Sequence, residues 1–114
     1  MAIAITATKN NLADRYATLG TWLNCCTGNP GATTTPANEA TGGGNARKQT
    51  TWGTAASGLT IGSACIIDLA AGTYTYATLC SAASGANQID NCSITSTTLS
   101  ATGQIVLTPS FQVT

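Results

Sequence analysis

The sequence has no histidine and very little charge, with four basic and four acidic residues among 114. Lacking imidazole, it lacks the usual general base at neutral pH and the commonest metal ligand. The acids Asp14, Glu39, Asp68 and Asp90 are scattered, and no motif draws two of them together as glycoside hydrolysis requires. The expectation is a protein that is not an enzyme and carries no cofactor. Zinc is not expected either, since the cysteines show no Cys-x-x-Cys spacing. The cations Lys9, Arg15, Arg47 and Lys48 do not gather into the basic face that displaces counterions from nucleic acid, so no nucleic-acid partner is expected. No apolar run approaches the roughly 20 residues of a membrane helix, and no membrane partner is expected. The opening Met1-Ala2-Ile3-Ala4-Ile5 lacks the charged start and the length of a secretory signal.

What is present argues for one folded domain over residues 1–114. Hydrophobic residues make up 43% of the chain and β-branched residues are frequent, which opposes disorder. Charged residues make up only 7%, against roughly 25% in an average soluble domain. A surface so weakly charged suits identical copies crowded together, because like-charge repulsion is small. It equally suits a small extracellular domain with a neutral, Thr-rich surface.

Local patterns give the element order. Ile3 and Ile5 alternate with small residues, as in a short strand or an extended arm over residues 1–9. Asn10 or Asn11 offers an N-cap, Asp14 falls in the first turn, and Leu12, Tyr16 and Leu19 share a face, so a helix of two to three turns is predicted. That apolar face is expected on the sheet, and Gly20 ends the helix. Thr21 to Cys26 reads as a strand closed by the turn Gly28-Asn29-Pro30-Gly31. Residues 31–45 show no period and read as a long loop, either a plain surface loop or a contact arm.

Alternation resumes from Arg47 to Trp52, with Lys48, Thr50 and Trp52 on one side. Leu59, Ile61, Cys65, Ile67 and Leu69 continue an odd-numbered apolar face up to a turn at Ala70-Ala71-Gly72-Thr73. Tyr74, Tyr76 and Cys80 are expected on one face of the next strand. Residues 81–88 form a hairpin loop, a strand follows around Cys92–Thr98, and Ser100-Ala101-Thr102-Gly103 turns into a last strand carrying Ile105, Leu107, Phe111 and Val113. Pro109 marks that strand as an edge or as broken. Short strands separated by Gly-rich turns predict an antiparallel β-sandwich or small barrel with one short N-terminal α-helix.

Five cysteines, Cys25, Cys26, Cys65, Cys80 and Cys92, leave one over if the rest pair. Cys80 and Cys92 flank the hairpin loop and could be linked across it. The preferred reading is small buried thiols that pack as modest hydrophobes.

One stretch is more specific. Ala37-Asn38-Glu39-Ala40-Thr41-Gly42-Gly43, then Ala46-Arg47-Lys48-Gln49-Thr50-Thr51-Trp52 and a small-residue patch ending at Ser57-Gly58, resembles short virion proteins of tailed bacteriophages, commonly labelled tail fibre or minor structural protein. Asn11-Leu12-Ala13-Asp14, Pro30-Gly31 and Ala70-Ala71-Gly72-Thr73 fall in the same order as in that family. Asn24-Cys25-Cys26 stands where the family commonly has a His-containing strand.

The resemblance implies a virion component assembled in the host cytoplasm without a signal peptide. Foremost is a decoration or minor capsid protein on the shell exterior, its partners being the major capsid protein or other virion subunits and further copies of itself, a trimer favoured. A tail fibre or tail-tip component touching the host is the alternative, although the chain has neither heptads nor Gly-X-Y repeats. A third reading is a carbohydrate-binding module stacking sugars on Trp22, Trp52, Tyr74 and Tyr76. The candidate interface residues are Ile3, Ile5, Pro36, Asn38, Glu39, Arg47, Lys48 and Trp52, drawn from the arm, the long loop and the strand after it.

Overall fold

A computed structural model describes residues 2–114 and is mainly β, with antiparallel sheets, one helix near the N-terminus and no closed barrel. Met1, the first residue of the expected arm, lies outside the described residues. The elements run α1 (Thr6–Leu19), β1 (Trp22–Cys26), β2 (Lys48–Gln49), β3 (Leu59–Ile61), β4 (Cys65–Leu69), β5 (Gly72–Cys80), β6 (Gln88–Leu99), β7 (Gly103–Leu107) and β8 (Ser110–Gln112). The sandwich-like expectation holds in this form: a four-stranded sheet in the order β2-β1-β5-β6, with the ribbons β4-β7 and β3-β8 beside it.

Two tight corners build the layering. The β5-β6 ribbon ends at the pair Gly72↔Leu99, and the β4-β7 ribbon begins at Leu69↔Gly103. Only residues 70–71 and 100–102 join them, so one long antiparallel ribbon folds over on itself. The inner sides meet in a core of Leu23, Cys25, Cys65, Ile67, Leu69, Tyr74 and Leu79, with Ile105 and Leu107 packed against it. At Pro109 the final strand breaks into β7 and β8, since proline cannot donate to a ladder.

Tyr74 and Leu79 are five residues apart yet share this core, which strict alternation forbids. Between the pairs Tyr74↔Thr97 and Tyr76↔Ser93, β5 advances two residues and β6 advances four. This bulge resets the phase. Tyr74 is therefore buried while Tyr76 is half-buried, and the expected common face for Tyr74, Tyr76 and Cys80 does not form. The register also places Cys80 opposite Gln88 and Cys92 opposite Ala77. No cross-hairpin link joins these cysteines. All five are free thiols, Cys25, Cys26, Cys65 and Cys80 buried and Cys92 exposed.

The helix departs from its expected limits. It spans 14 residues, with Ile5 as an extended N-cap that makes no side-chain capping bond. Residues 6–9 are helical, so the arm is confined to the residues before Thr6, and Asp14 lies in mid-helix. Asn10 does not cap the helix because its side chain is used elsewhere: Oδ1 accepts the Gly58 N–H at 2.8 Å, and Asp14 Oδ1 accepts the Ala55 N–H at 2.9 Å. These side chains are four residues apart on one face, flanking the fully buried Ala13. Docking by this small, polar face turns Leu12 and Leu19 outward, 47% and 40% exposed, rather than onto the sheet. Tyr16 alone of the expected apolar face packs against the core.

The predicted strand from Arg47 to Trp52 contracts to β2, with Trp52 making an isolated bridge to Gly62. Thr50 leaves the ladder to donate its hydroxyl to the Ser63 carbonyl at 2.7 Å. Ile61, expected inside, is 51% exposed, because only Cys65, Ile67 and Leu69 of that odd-numbered series reach the folded-over ribbon.

Candidate interaction site

The centre of the candidate region is β1, buried on both faces: Leu23 and Cys25 point into the apolar core, whereas Asn24 and Cys26 point the other way. Directly paired residues share a face, so Thr78 and Cys80 lie on that second side with Asn24 and Trp22. It is covered by the loops around Glu39 and Gly85 rather than by a sheet.

Arg47 organises the cover. Its Nε and Nη2 donate to Glu39 Oε2 at 2.8 Å and Oε1 at 2.9 Å, a bidentate pair. Nη1 donates to the Ala82 carbonyl and Asn87 Oδ1, and Nη2 also reaches the Gly85 carbonyl. One guanidinium thus ties the long loop to the β5-β6 hairpin loop while being only 7% exposed. The paired guanidinium holds the Glu39 carboxyl below the usual carboxylate range, against the opposing effect of burial, and Glu39 in turn raises the Arg47 pKa.

The network extends to both sides. Asn24 Nδ2 donates to Glu39 Oε2 and to Asn45 Oδ1, and Asn45 Nδ2 donates back to Asn24 Oδ1 and to the Asp68 carbonyl. Thr78 donates to Gln88 Oε1 at 2.7 Å, and Gln88 Nε2 reaches the Thr33 carbonyl at 2.8 Å. Among the described residues, no buried side-chain N or O atom lacks a partner. The long loop has no regular period because its backbone is held by side chains and by scattered backbone bonds, such as the bridge of Glu39 to Cys26, rather than by a continuous ladder.

Burial pushes the Cys25 thiol up to about 11 and the Cys26 thiol up to about 12, so both stay protonated at neutral pH, Cys26 despite the nearby Arg47. Protonated thiols are poor nucleophiles. The chemistry available here is cohesion between loops.

The expected interface residues do not form one surface. Ile3 is half-buried and its N–H donates to the Thr114 carbonyl at 3.1 Å, while Ile5 is 62% exposed. Pro36 is half-buried, and Asn38 is exposed with φ 59°, its Nδ2 donating to the Asn29 carbonyl. Glu39 and Arg47 are engaged internally as described. Lys48 Nζ lies 3.6 Å from Asp68 Oδ2 at the surface. Trp52 is half-buried, donates Nε1–H to the Gly20 carbonyl and meets Tyr16 edge-on at 6.1 Å.

Tyr16 joins a different feature. It stacks on Phe111 at 3.7 Å and donates its hydroxyl to Asp90 Oδ2 at 2.8 Å. Burial, and then the bond to Asp90, raise its pKa. Beside it a groove of about 260 Å³ opens between β6 and the β7-β8 segment, lined by Leu23, Trp52, Leu79, Ile94, Leu107 and Phe111 among others. The aromatic residues of the carbohydrate reading are dispersed: Tyr74 is buried with its hydroxyl on the Ala70 carbonyl, and Trp22 and Tyr76 are half-buried.

Exposed Leu12, Leu19, Ile66, Ile89 and Val106 were not among the expected interface residues. The spacing of Ile5, Leu12 and Leu19, seven residues apart, was the available signal. No protein-family model, curated protein or solved structure matches the chain.

Proposed function

We propose that this protein is a structural component of a bacteriophage virion, a minor capsid or decoration protein that docks on the shell exterior as a homo-oligomer and stabilises joints between subunits. The observation that carries the reading is how the few charges are used. Arg47 with Glu39 and Lys48 with Asp68 are paired within the chain, and Asp14 holds a backbone amide, while large apolar side chains including Ile5, Leu12, Ile61, Ile66 and Val106 face outward. A monomer that stays dispersed favours the opposite arrangement. The resemblance of residues 37–58 to short virion proteins of tailed phages points the same way.

The mechanism is mechanical. Each copy buries apolar surface across a joint, and anything that binds the assembled state preferentially shifts the equilibrium away from dissociation. Quantitative mass spectrometry of purified virions tests the reading. Hundreds of copies per particle are expected of a shell protein; a handful would move it to the tail tip, and absence would remove it from the virion.

A further inference from the structure

From the cleft beside Tyr16, we infer that this protein binds a small amphiphilic cation, an alkyl- or arylammonium, with its apolar stem between the sheet layers and its charged head on Asp90. The cleft opens where Pro109 interrupts the last strand, so that β7 pairs with β4 and β8 with β3. About 260 Å³ lies at that break, with Leu23, Ala77 and Leu79 on the sheet side and Leu107, Pro109 and Phe111 on the β7-β8 side.

Its polarity is ordered by depth. Leu23, Ala77 and Leu79 are 5%, 8% and 5% exposed, so the floor is apolar and nearly sealed. Directly paired residues share a face, which puts Asp90, opposite Leu79, and Cys92, opposite Ala77, on the same side of the sheet one strand further out. β6 is the edge strand and both residues are exposed, so they form the mouth.

Asp90 is a positioned charge without a counter-charge. Its Oδ2 accepts the Tyr16 hydroxyl at 2.8 Å and its Oδ1 accepts the Asn91 N–H at 2.9 Å, which aims the carboxylate and leaves each oxygen a further acceptor position. Among the described residues the ion pairs are Arg47 with Glu39 and Lys48 with Asp68, so no cation of the chain neutralises Asp90. An anionic guest meets repulsion at this mouth, and a neutral one leaves the charge unmatched.

Size and direction of entry narrow the guest. A cavity of about 150 Å³ holds benzene, so this cleft has room for a ring or chain of about six carbons. With the floor apolar and the mouth charged, the guest enters stem first. A lysine side chain of a partner protein has the same two parts in the opposite order, and its leading ammonium would be driven onto Leu23 and Leu79. The fitting source is therefore a free small molecule. The cleft carries this assignment without the virion reading.

NMR titration of the full chain, followed at the Ala77 and Ile94 methyl groups, is the test, with hexylammonium, hexanol and hexanoate as probes. Hexylammonium is expected to saturate the shifts with a Kd of about 1 mM, as suits so few atoms, and to bind about tenfold more tightly than hexanoate. Asp90→Asn is expected to bring hexylammonium down to the affinity of hexanol while leaving hexanol unchanged. Nα-acetyl-lysine methylamide is expected to shift neither methyl. On the wild type, saturating hexylammonium is expected to slow alkylation of the exposed Cys92 by N-ethylmaleimide severalfold. No saturation by about 10 mM hexylammonium, equal binding of hexanoate, or an Asp90→Asn chain that keeps the full preference for the ammonium would overturn the assignment. So would an alkylation rate indifferent to hexylammonium, or a lysine amide that binds as tightly as the free amine.

Discussion

The two faces of β1 are buried equally well by opposite means. On one side Leu23 and Cys25 meet Ile67, Leu69 and Leu79 in a core with no side-chain ion pair. On the other, Asn24, Thr78 and Cys26 lie beneath loops held by Arg47, Glu39, Gln88 and Asn45. The apolar side is tolerant in principle, because its stabilisation is non-directional and scales with area. The polar side depends on completeness, since a buried group that loses its partner keeps the full cost of desolvation. A chain this poor in charge has concentrated an ion pair where geometry, rather than solubility, is at stake.

Substitutions can separate the two modes. Arg47→Ala is expected to have the largest effect, a loss of about 3–5 kcal/mol in chemical denaturation, because Glu39 is left part-buried without its counter-charge. Replacing the pair together, Arg47→Met with Glu39→Leu, is expected to recover part of that loss; equal losses in the single and double variants would contradict this account of the polar side. Ile67→Ala, on the apolar side, is expected to cost about 2–5 kcal/mol through lost burial and a residual cavity. Ile67→Val, which keeps the packing, should cost no more than about 1.5 kcal/mol.

The polar face should also respond to acid, and the thiols on both faces to alkali. Glu39 has a lowered pKa in the folded chain, so its stabilisation is present above the ordinary value of 4.5 and is lost as pH falls through the folded value. Cys25 and Cys26 have raised values, so their contribution is intact below the ordinary thiol value of 9.0 and is lost as pH rises toward about 11 and 12. Melting temperature against pH is therefore expected to fall below 4.5 and above 9.0, and Glu39→Gln should flatten the acid limb while leaving the burial-driven alkaline limb in place.

Smaller effects lie outside the sheet. Asn10→Ala and Asp14→Ala each remove one bond that docks the helix and are expected to cost about 1 kcal/mol. Val106→Thr, on the outward face opposite Ile66, should stay within about 0.5 kcal/mol of wild type.

Much of the β framework was legible in the sequence because period-2 burial and turn chemistry are local signals. The strand into Cys26, the turn at residues 70–73, the hairpin loop of residues 81–88 and the break at Pro109 all read directly. The bulge that brings Tyr74 and Leu79 to one core did not, since it follows from pairing between β5 and β6. The helix face was misread because Leu12, Tyr16 and Leu19 satisfy an apolar period, whereas the actual contact rests on Asn10 and Asp14 finding backbone amides far along the chain, at Gly58 and Ala55. Asn38, Glu39 and Arg47 stood out in the sequence as a specific cluster. Their spacing could not reveal that Glu39 and Arg47 face inward, because Ala82, Gly85 and Asn87, which complete the guanidinium's partners, come from a distant hairpin.

The corners at residues 70–71 and 100–102 couple the registers of two ribbons. If β5 slipped by one residue against β6, the error would travel through both corners and turn the β4-β7 side chains inside out. Alignment in either layer therefore proofreads the other. Such a chain should nucleate slowly and then close as a unit, with few half-zipped forms able to persist.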